Sequence, residues 1–385
     1  MRFAYYTPSS FRTLNAGALR NAAVARALVL AGHEVKIICG DGDSEDIDSE
    51  WAHLLGDRVV VHPGGPRGRR SLLRGRVGRL LGGPTTQGTG AARLADHVIA
   101  YNPDPVMWAR LRRSSRQSGV PLTVDMTEWL GARDIPGGWW TPFGIWYEVH
   151  LRTLPYRIDR GVAISSRMAA HLRRGGAPVL VVPPLHEVPP FDMGHIRHDS
   201  SSHLLISGGD LNPSGKDGLT LRLLLGALRV DPALASAMHV HVAGNVAEAG
   251  EGLIDELRKH VKTTFHGWIP REEFLALLSS VDYLLLLRES RSRRIEYGFP
   301  SKVTESLLVG TPVVANEFSD MGQVLRTGSD WMPVDALTTQ ALLSALRHAF
   351  SVSVDRSVIA QDAAGRFTPS AFSAAIADFI AGVAK

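Results

Sequence analysis

The chain has 385 residues, 44% of them hydrophobic, with a formal net charge of +4 and a single cysteine. At about 100–200 residues per domain this length suggests two or three domains with ample core, and one cysteine excludes an internal disulfide. The mild positive balance fits phosphate-bearing small molecules or an acidic membrane surface and is too weak to imply nucleic acid. No run approaches the roughly 18 apolar residues of a membrane span, and Met1 to Pro8 reads as a strand rather than a secretory leader.

Strand and helix signals alternate along the whole chain, which predicts an α/β fold. Arg2 to Tyr6 is a first strand, Leu19 to Ala31 a helix ended by Gly32, and Glu34 to Cys39 the next strand. Further strands are expected at Val59–His62, His97–Tyr101, Pro121–Met126, Gly161–Ser165 and Val179–Val182, with a helix over Val106–Ser118. The aperiodic stretch Pro183 to Ser202 reads as a linker. A second half follows, with strands at His203–Ile206, His239–Ala243 and Thr263–His266 and helices at Leu219–Leu228 and Arg271–Ser280. Pro369 to Val383 reads as a closing helix. The expected domains are 1–185, a linker 186–202, 203–368, and a helix 369–385 that returns to the first domain.

The segment Tyr283 to Asp320 carries the most chemistry. An apolar run ends abruptly at Arg288 and Glu289, an Arg-rich loop leads to Gly298-Phe299-Pro300-Ser301, and a short helix with Lys302 and Glu305 ends at Gly310-Thr311-Pro312. Val313-Val314-Ala315 reads as a second strand. Charged residues at the carboxyl end of a strand are where open α/β sheets bind ligands. Ser301 suits an N-cap. Lys302 in the first turn opposes the helix dipole, at a cost of roughly 0.3–1 kcal/mol, unless a phosphate sits at that helix end. Glu305 can accept two hydroxyl hydrogen bonds, as from a ribose. An ordinary buried crossover with a solvated loop is the alternative.

In order along the chain, Leu28-Val29-Leu30-Ala31-Gly32-His33-Glu34-Val35, Val162-Ala163-Ile164-Ser165, Ser207-Gly208-Gly209 with Lys216-Asp217-Gly218, Phe265-His266-Gly267-Trp268, and Gly298 to Glu305 through Gly310-Thr311-Pro312-Val313-Val314 resemble the GT-B-fold retaining glycosyltransferases of family 4, in the capsular and exopolysaccharide branch. The resemblance implies two facing Rossmann-like domains around a cleft, with the acceptor on the N-terminal half and a nucleotide-sugar donor, taken as UDP-linked, on the C-terminal half. It makes Glu305 the residue holding the donor ribose and Lys216 a contact to the diphosphate. It places Tyr297, Gly298, Phe299, Pro300, Ser301 and Lys302 along the donor, Gly209 beside it, and Asn15 and Gly17 toward the phosphates from the N-terminal side. Lys216 and Arg288 become the catalytic cations and Glu128 an acceptor-side candidate. The pattern departs at Tyr297, where the first motif glutamate would stand next to Glu296, at Asp210 in place of an arginine, at Asn15-Ala16 in place of paired glycines, and at Thr127 in place of a histidine.

No cofactor or metal is expected. Asp41-Gly42-Asp43 and Asp46-Ile47-Asp48 read as a solvated acidic loop, and Gly88-Thr89-Gly90 lacks the strand a dinucleotide fingerprint needs. His239 and His241 share a strand face, but no third ligand is evident in the sequence, so a structural role is the expectation. The basic stretch 64–83, with six arginines and no acid, suits an anionic lipid surface, a phosphorylated acceptor or plain solvent. Trp139, Trp140, Trp146 and Tyr147 are expected in packing rather than sugar stacking. The expected protein is thus a cytoplasmic glycosyltransferase, with peripheral contact at the inner membrane face one of the open readings of 64–83. Its partners would be a nucleotide sugar and a carbohydrate or glycolipid acceptor, with no nucleic acid. A small natural-product acceptor and a catalytically inactive binding partner are the alternatives.

Overall fold

The computed structural model describes residues 1–9, 11, 15–39, 51, 55, 58–63, 95–130, 141–187, 200–209, 211–212, 217–245, 248–289 (side chains from 251) and 292–382. The chain splits into two compact units. The first comprises Met1–Glu187, Glu296–Phe299 and Phe367–Lys385, and the second Val188–Ile295 and Pro300–Arg366. The sequence boundaries assign Glu296–Phe299 to the second domain. The structure groups this segment with the first, where the partly buried Tyr297 packs against that unit's core.

The first unit holds β1 (Arg2–Thr7), α1 (Ala16–Leu30), β2 (Glu34–Cys39), β3 (Val59–Pro63), β4 (His97–Tyr101), α2 (Pro105–Ser118), β5 (Leu122–Met126), α3 (Pro142–Thr153), β6 (Gly161–Ala163), α4 (Ser166–Leu172) and β7 (Val179–Val181). Its strands form a parallel sheet of order β3-β2-β1-β4-β5-β6-β7. Parallel strands covered on both faces read as continuous apolar runs. The alternation of β1 divides them between two cores: Phe3 and Tyr5 pack with Val24 and Leu28 of α1, while Ala4 and Tyr6 pack with Met107 and Trp108 of α2 and Leu151 of α3. Helix ends are set locally. Asp104 accepts from the amides of Val106 and Met107 ahead of Pro105, and Gly119, at φ 73°, ends α2 in the left-handed region.

The second unit holds β8 (Ser202–Gly208), α5 (Gly218–Val230), α6 (Pro232–Ser236), β9 (Met238–Gly244), α7 (Glu248–Arg258), β10 (Lys262–Gly267), α8 (Arg271–Ser280), β11 (Tyr283–Leu286), α9 (Arg293–Tyr297), whose last two residues group with the first unit, and α10 (Ser301–Leu308). It continues with β12 (Val313–Ala315), α11 (Met321–Val324), β13 (Trp331–Pro333), α12 (Thr339–Ser351) and α13 (Arg356–Phe367), whose last residue groups with the first unit. The parallel order is β10-β9-β8-β11-β12-β13. Leu204, Ile206, Val240, Val242 and Leu285 face a core closed by α5, α7 and α12. The last helix, α14 (Pro369–Ala381), sets Ile376, Ala377 and Ile380 against the α1 face of the first core. Among the described residues no helix is long and apolar enough to cross a membrane.

Both strand orders reverse at a defined place. In the first sheet the chain winds outward from β1 through β2 and then returns to β4 on the other side. In the second it winds from β8 through β9 and returns to β11. The carboxyl edges beside β1/β4 and β8/β11 are therefore the switch points at which such sheets form ligand crevices.

Candidate functional site

At the second switch point the sequence builds a cationic edge. Leu287 is pinned by Thr220 of α5, whose hydroxyl accepts from the Leu287 amide at 3.2 Å. Asn316, just past β12, accepts from the Arg288 amide at 2.8 Å and donates to the Arg288 carbonyl at 2.9 Å. The backbone at the end of β11 is thus fixed from two sides. Arg288 forms an ion pair with Asp217, which precedes α5 without its side chain capping the helix. Close approach dictates the glycines here. A Cβ on Gly208 would come within 2.5 Å of the Asp217 side chain, and one on Gly244, at φ 138°, would meet the Gly208 carbonyl at 1.8 Å.

On the same edge α10 begins at Ser301, with Pro300 as its cap residue and no capping side chain. Ser301 is therefore the first helical residue rather than the N-cap the sequence suggests, and its carbonyl accepts from the Thr304 hydroxyl at 2.9 Å. Pro300 enters extended, at φ −75° and ψ 114°, its ring fixing φ. With no acidic residue in the first turn, the helix end keeps its positive character, and Lys302 adds to it. One turn on, Glu305 is buried at 6% exposure and pairs with Arg271 at the start of α8. Arg271 was not singled out in the sequence. Its only signal is its position as the first residue of a helix neighbouring α10.

In the first unit, Asn15 caps α1 by accepting from the Ala18 amide at 3.0 Å. Ala16 and Gly17 are already helical, so the turn expected at Asn15–Gly17 is the helix start itself. A Cβ on Gly17 would meet the Ser9 hydroxyl at 2.5 Å. At the end of β4, Asn102 takes up a left-handed conformation (φ 38°), which asparagine tolerates. It donates to the Thr127 hydroxyl at 2.7 Å and accepts from the amides of Thr127 at 2.8 Å and Glu128 at 3.4 Å. The Thr127 hydroxyl donates to Tyr101 at 2.9 Å. Thr127 and Asn102 thus set the backbone that presents Glu128. Below them Asp125, wholly buried, accepts from Tyr5 at 2.5 Å and pairs with Arg20 at 3.2 Å. Arg20 also donates to the carbonyls of Val182 and Pro183 at 2.9 and 2.6 Å. Burial, reinforced by Asp125, holds the Tyr5 phenol well above its ordinary pKa.

No protein-family model and no curated protein sequence matches the chain. Solved structures do, over essentially the full length. A glycosyltransferase from Rickettsia africae aligns with TM-score 0.67 at 13% identity, covering 100% of this chain and 99% of the other. Sucrose-phosphate synthase from Thermosynechococcus elongatus aligns with TM-score 0.66 at 15% identity, covering 99% and 98%. Alr3699/HepE from Anabaena, solved in complex with UDP and glucose, aligns with TM-score 0.64 at 13% identity, covering 100% and 99%. The chain has the GT-B fold.

Within this GT-B chain, Arg288, Ser301, Lys302 and Glu305 share the carboxyl edge of the second sheet, and Gly209 follows β8 at that edge. Tyr297 groups with the first unit. Its ring packs 4.8 Å from Trp129 and 6.2 Å from His171, and its carbonyl accepts from the Ser165 hydroxyl at 2.7 Å. Glu296 pairs with Arg167 at 2.6 Å. Gly298 and the buried Phe299 belong with them to the first unit. Ser165, from the Val-Ala-Ile-Ser motif, both caps α4 and holds the chain just before α10. Of the expected aromatic group, Tyr147 is buried and Trp146 is 45% exposed. Lys216, Asp210, Trp139, Trp140, the two Asp-x-Asp repeats, Gly88–Gly90 and the basic stretch 64–83 lie outside the described residues.

Proposed function

We propose that the chain is a glycosyltransferase. It moves a sugar, with retention of anomeric configuration, from a UDP-linked donor to a hydroxyl of a polysaccharide or glycolipid precursor. The observation that carries this reading is the pairing of a fixed arginine, Arg288, with the uncapped α10 terminus and Glu305 on one sheet edge. UDP is bound by the fold neighbour HepE in its solved complex.

Transfer breaks the anomeric C–O bond to the diphosphate and forms one to the acceptor oxygen, whose proton passes to the departing phosphate. Negative charge grows on that leaving group. Arg288, Lys302 and the α10 amides would stabilise it, and such preorganised electrostatics is worth about 3–4 kcal/mol for a single donor. Lys216 would add a second cation. Asp217 keeps Arg288 placed, so little reorganisation is needed. Glu305, oriented by Arg271, would accept the ribose hydroxyls. Glu128, set by Asn102 and Thr127, would meet the acceptor. Retention by this route needs no protein nucleophile and no metal at the donor edge. The protein would work in the cytoplasm, with the 64–83 stretch resting on the inner membrane face. NMR of the product from an α-linked UDP-sugar tests the stereochemistry. An α-glycoside is expected, and a β-glycoside would overturn retention.

A further inference from the structure

Four of the fifteen histidines converge on one face of the second sheet. His203 of β8 pairs in register with His239 of β9, and His241 follows two residues on. All three project away from the core face defined by Leu204, Val240 and Val242, because successive strand residues alternate. They are 7–9% exposed. Their ring centroids form a triangle with sides of 4.9, 5.2 and 4.2 Å. One ring nitrogen from each lies within 4.8 Å of the other two. The sequence expectation of no third ligand fails here because His203 comes from the neighbouring strand, 36 positions earlier than His239.

We propose that His203, His239 and His241 bind a divalent transition ion of the Zn²⁺ class, as a site separate from the donor edge. Each ring fits the role chemically. His203 Nδ1 and His241 Nε2 are 2.9 Å apart, and His241 Nδ1 is 3.0 Å from Nε2 of His266. His239 Nε2 is 2.8 Å from the Thr264 hydroxyl. His241 can therefore bind through Nε2 while donating from Nδ1 to His266, and His239 through Nδ1 while bonding Thr264. Outer partners of this kind orient metal-binding imidazoles and fix their tautomers. Metal–nitrogen bonds of about 2.0–2.1 Å in tetrahedral geometry separate ligand nitrogens by about 3.3 Å. The His203–His241 pair thus needs to open by only about 0.4 Å. His203 would bind through Nδ1, with its proton carried on Nε2. Three imidazoles leave a fourth position for water, and borderline nitrogen donors favour Zn²⁺, Ni²⁺ or Cu²⁺ over Mg²⁺. His203 lies near the amino end of β8, whereas Gly208 at the carboxyl end borders the Arg288 edge. The ion would tie β8 to β9 and leave the transfer chemistry alone.

The test uses the full chain after chelation. Competition with a chromophoric chelator should show one Zn²⁺ per chain and a raised melting temperature. The conservative Thr264→Val variant should bind about 10–100-fold more weakly, as loss of an outer partner does. His203→Gln with His239→Gln should abolish the site while leaving UDP binding unchanged. Wild-type crystals soaked in zinc chloride and measured at the zinc edge should show an anomalous peak within bonding distance of the three rings, whether or not the variants fold. No stoichiometric binding, or a peak only at other histidines, would overturn the proposal.

Discussion

Arg288, just past β11, and Asp217, just before α5, form an ion pair with side-chain exposures of 12% and 2%. The arginine is the cation that two backbone clamps hold in place, and the aspartate is what holds its side chain. If Arg288 stabilises the leaving diphosphate, Arg288→Met should lower kcat about 10²–10³-fold, the cost of removing one preorganised donor. Asp217→Asn should keep a larger share of kcat, because the cation remains. Steady-state release of UDP from the donor measures both, and equal losses would argue that the pair is only structural.

Glu305 and Arg271 are a second buried pair, at 7% and 12% side-chain exposure. Removing one partner of such a pair typically costs about 3–5 kcal/mol, because the other charge is left buried and uncompensated. Arg271→Met should therefore lower the denaturation midpoint more than Glu305→Gln, whose amide oxygen can still accept from Arg271. The ribose role is read separately. Glu305→Gln should weaken UDP binding about tenfold or more, given about 1.5–3 kcal/mol for a hydrogen bond to a charged group. It should barely affect 2′,3′-dideoxy-UDP. Equal weakening of both nucleotides would remove the ribose role.

Ser165 spends its hydroxyl twice, accepting from the Met168 amide at 3.1 Å and donating to the Tyr297 carbonyl at 2.7 Å. Ser165→Ala should cost about 0.5–2 kcal/mol through the lost cap. It should also raise the donor KM, because the chain entering α10 loses its anchor. A stability loss with an unchanged KM would leave Ser165 a cap alone.

His97 and His150 are both held to a pKa of about 4, against an ordinary 6.5. Burial is the main cause in each, with Arg160 adding to it at His97. The folded state therefore excludes protons that the unfolded chain takes up below pH 6.5. Their contribution is fully present above that pH and is lost as pH falls toward 4. Each accounts for up to about 3 kcal/mol. Urea titrations across this window should show the wild type losing stability relative to His97→Gln/His150→Gln, and parallel curves would contradict it.

Much of the fold was legible because buried parallel strands are continuous apolar runs. The bounds expected for Glu34–Cys39, His97–Tyr101 and Val313–Ala315 match the observed strands residue for residue. Short β13 and helices α12 and α13 were missed, since Trp331–Pro333 is three residues long and these helices carry no distinctive motif. At the candidate site, Arg288, Lys302 and Glu305 stood out because charge at a strand end or in a helix's first turn is locally anomalous. Their partners were not. Asp217 was seen only as part of a motif, and Arg271 and Asn316 act from other elements, so only the folded sheet brings them in. Nor could the sequence show that the Tyr297 ring packs beside Trp129 and His171. The third histidine beside His239 and His241 was invisible for the same reason as Arg271.

The central claim is most directly tested by following nucleotide sugars with ³¹P NMR in the presence of purified protein. The account predicts that a UDP-sugar is converted to UDP, slowly by water and faster with an acceptor, and that Arg288→Met nearly abolishes the conversion. If no UDP-, GDP-, dTDP- or ADP-sugar is consumed by well-folded wild-type protein, the transferase assignment is wrong.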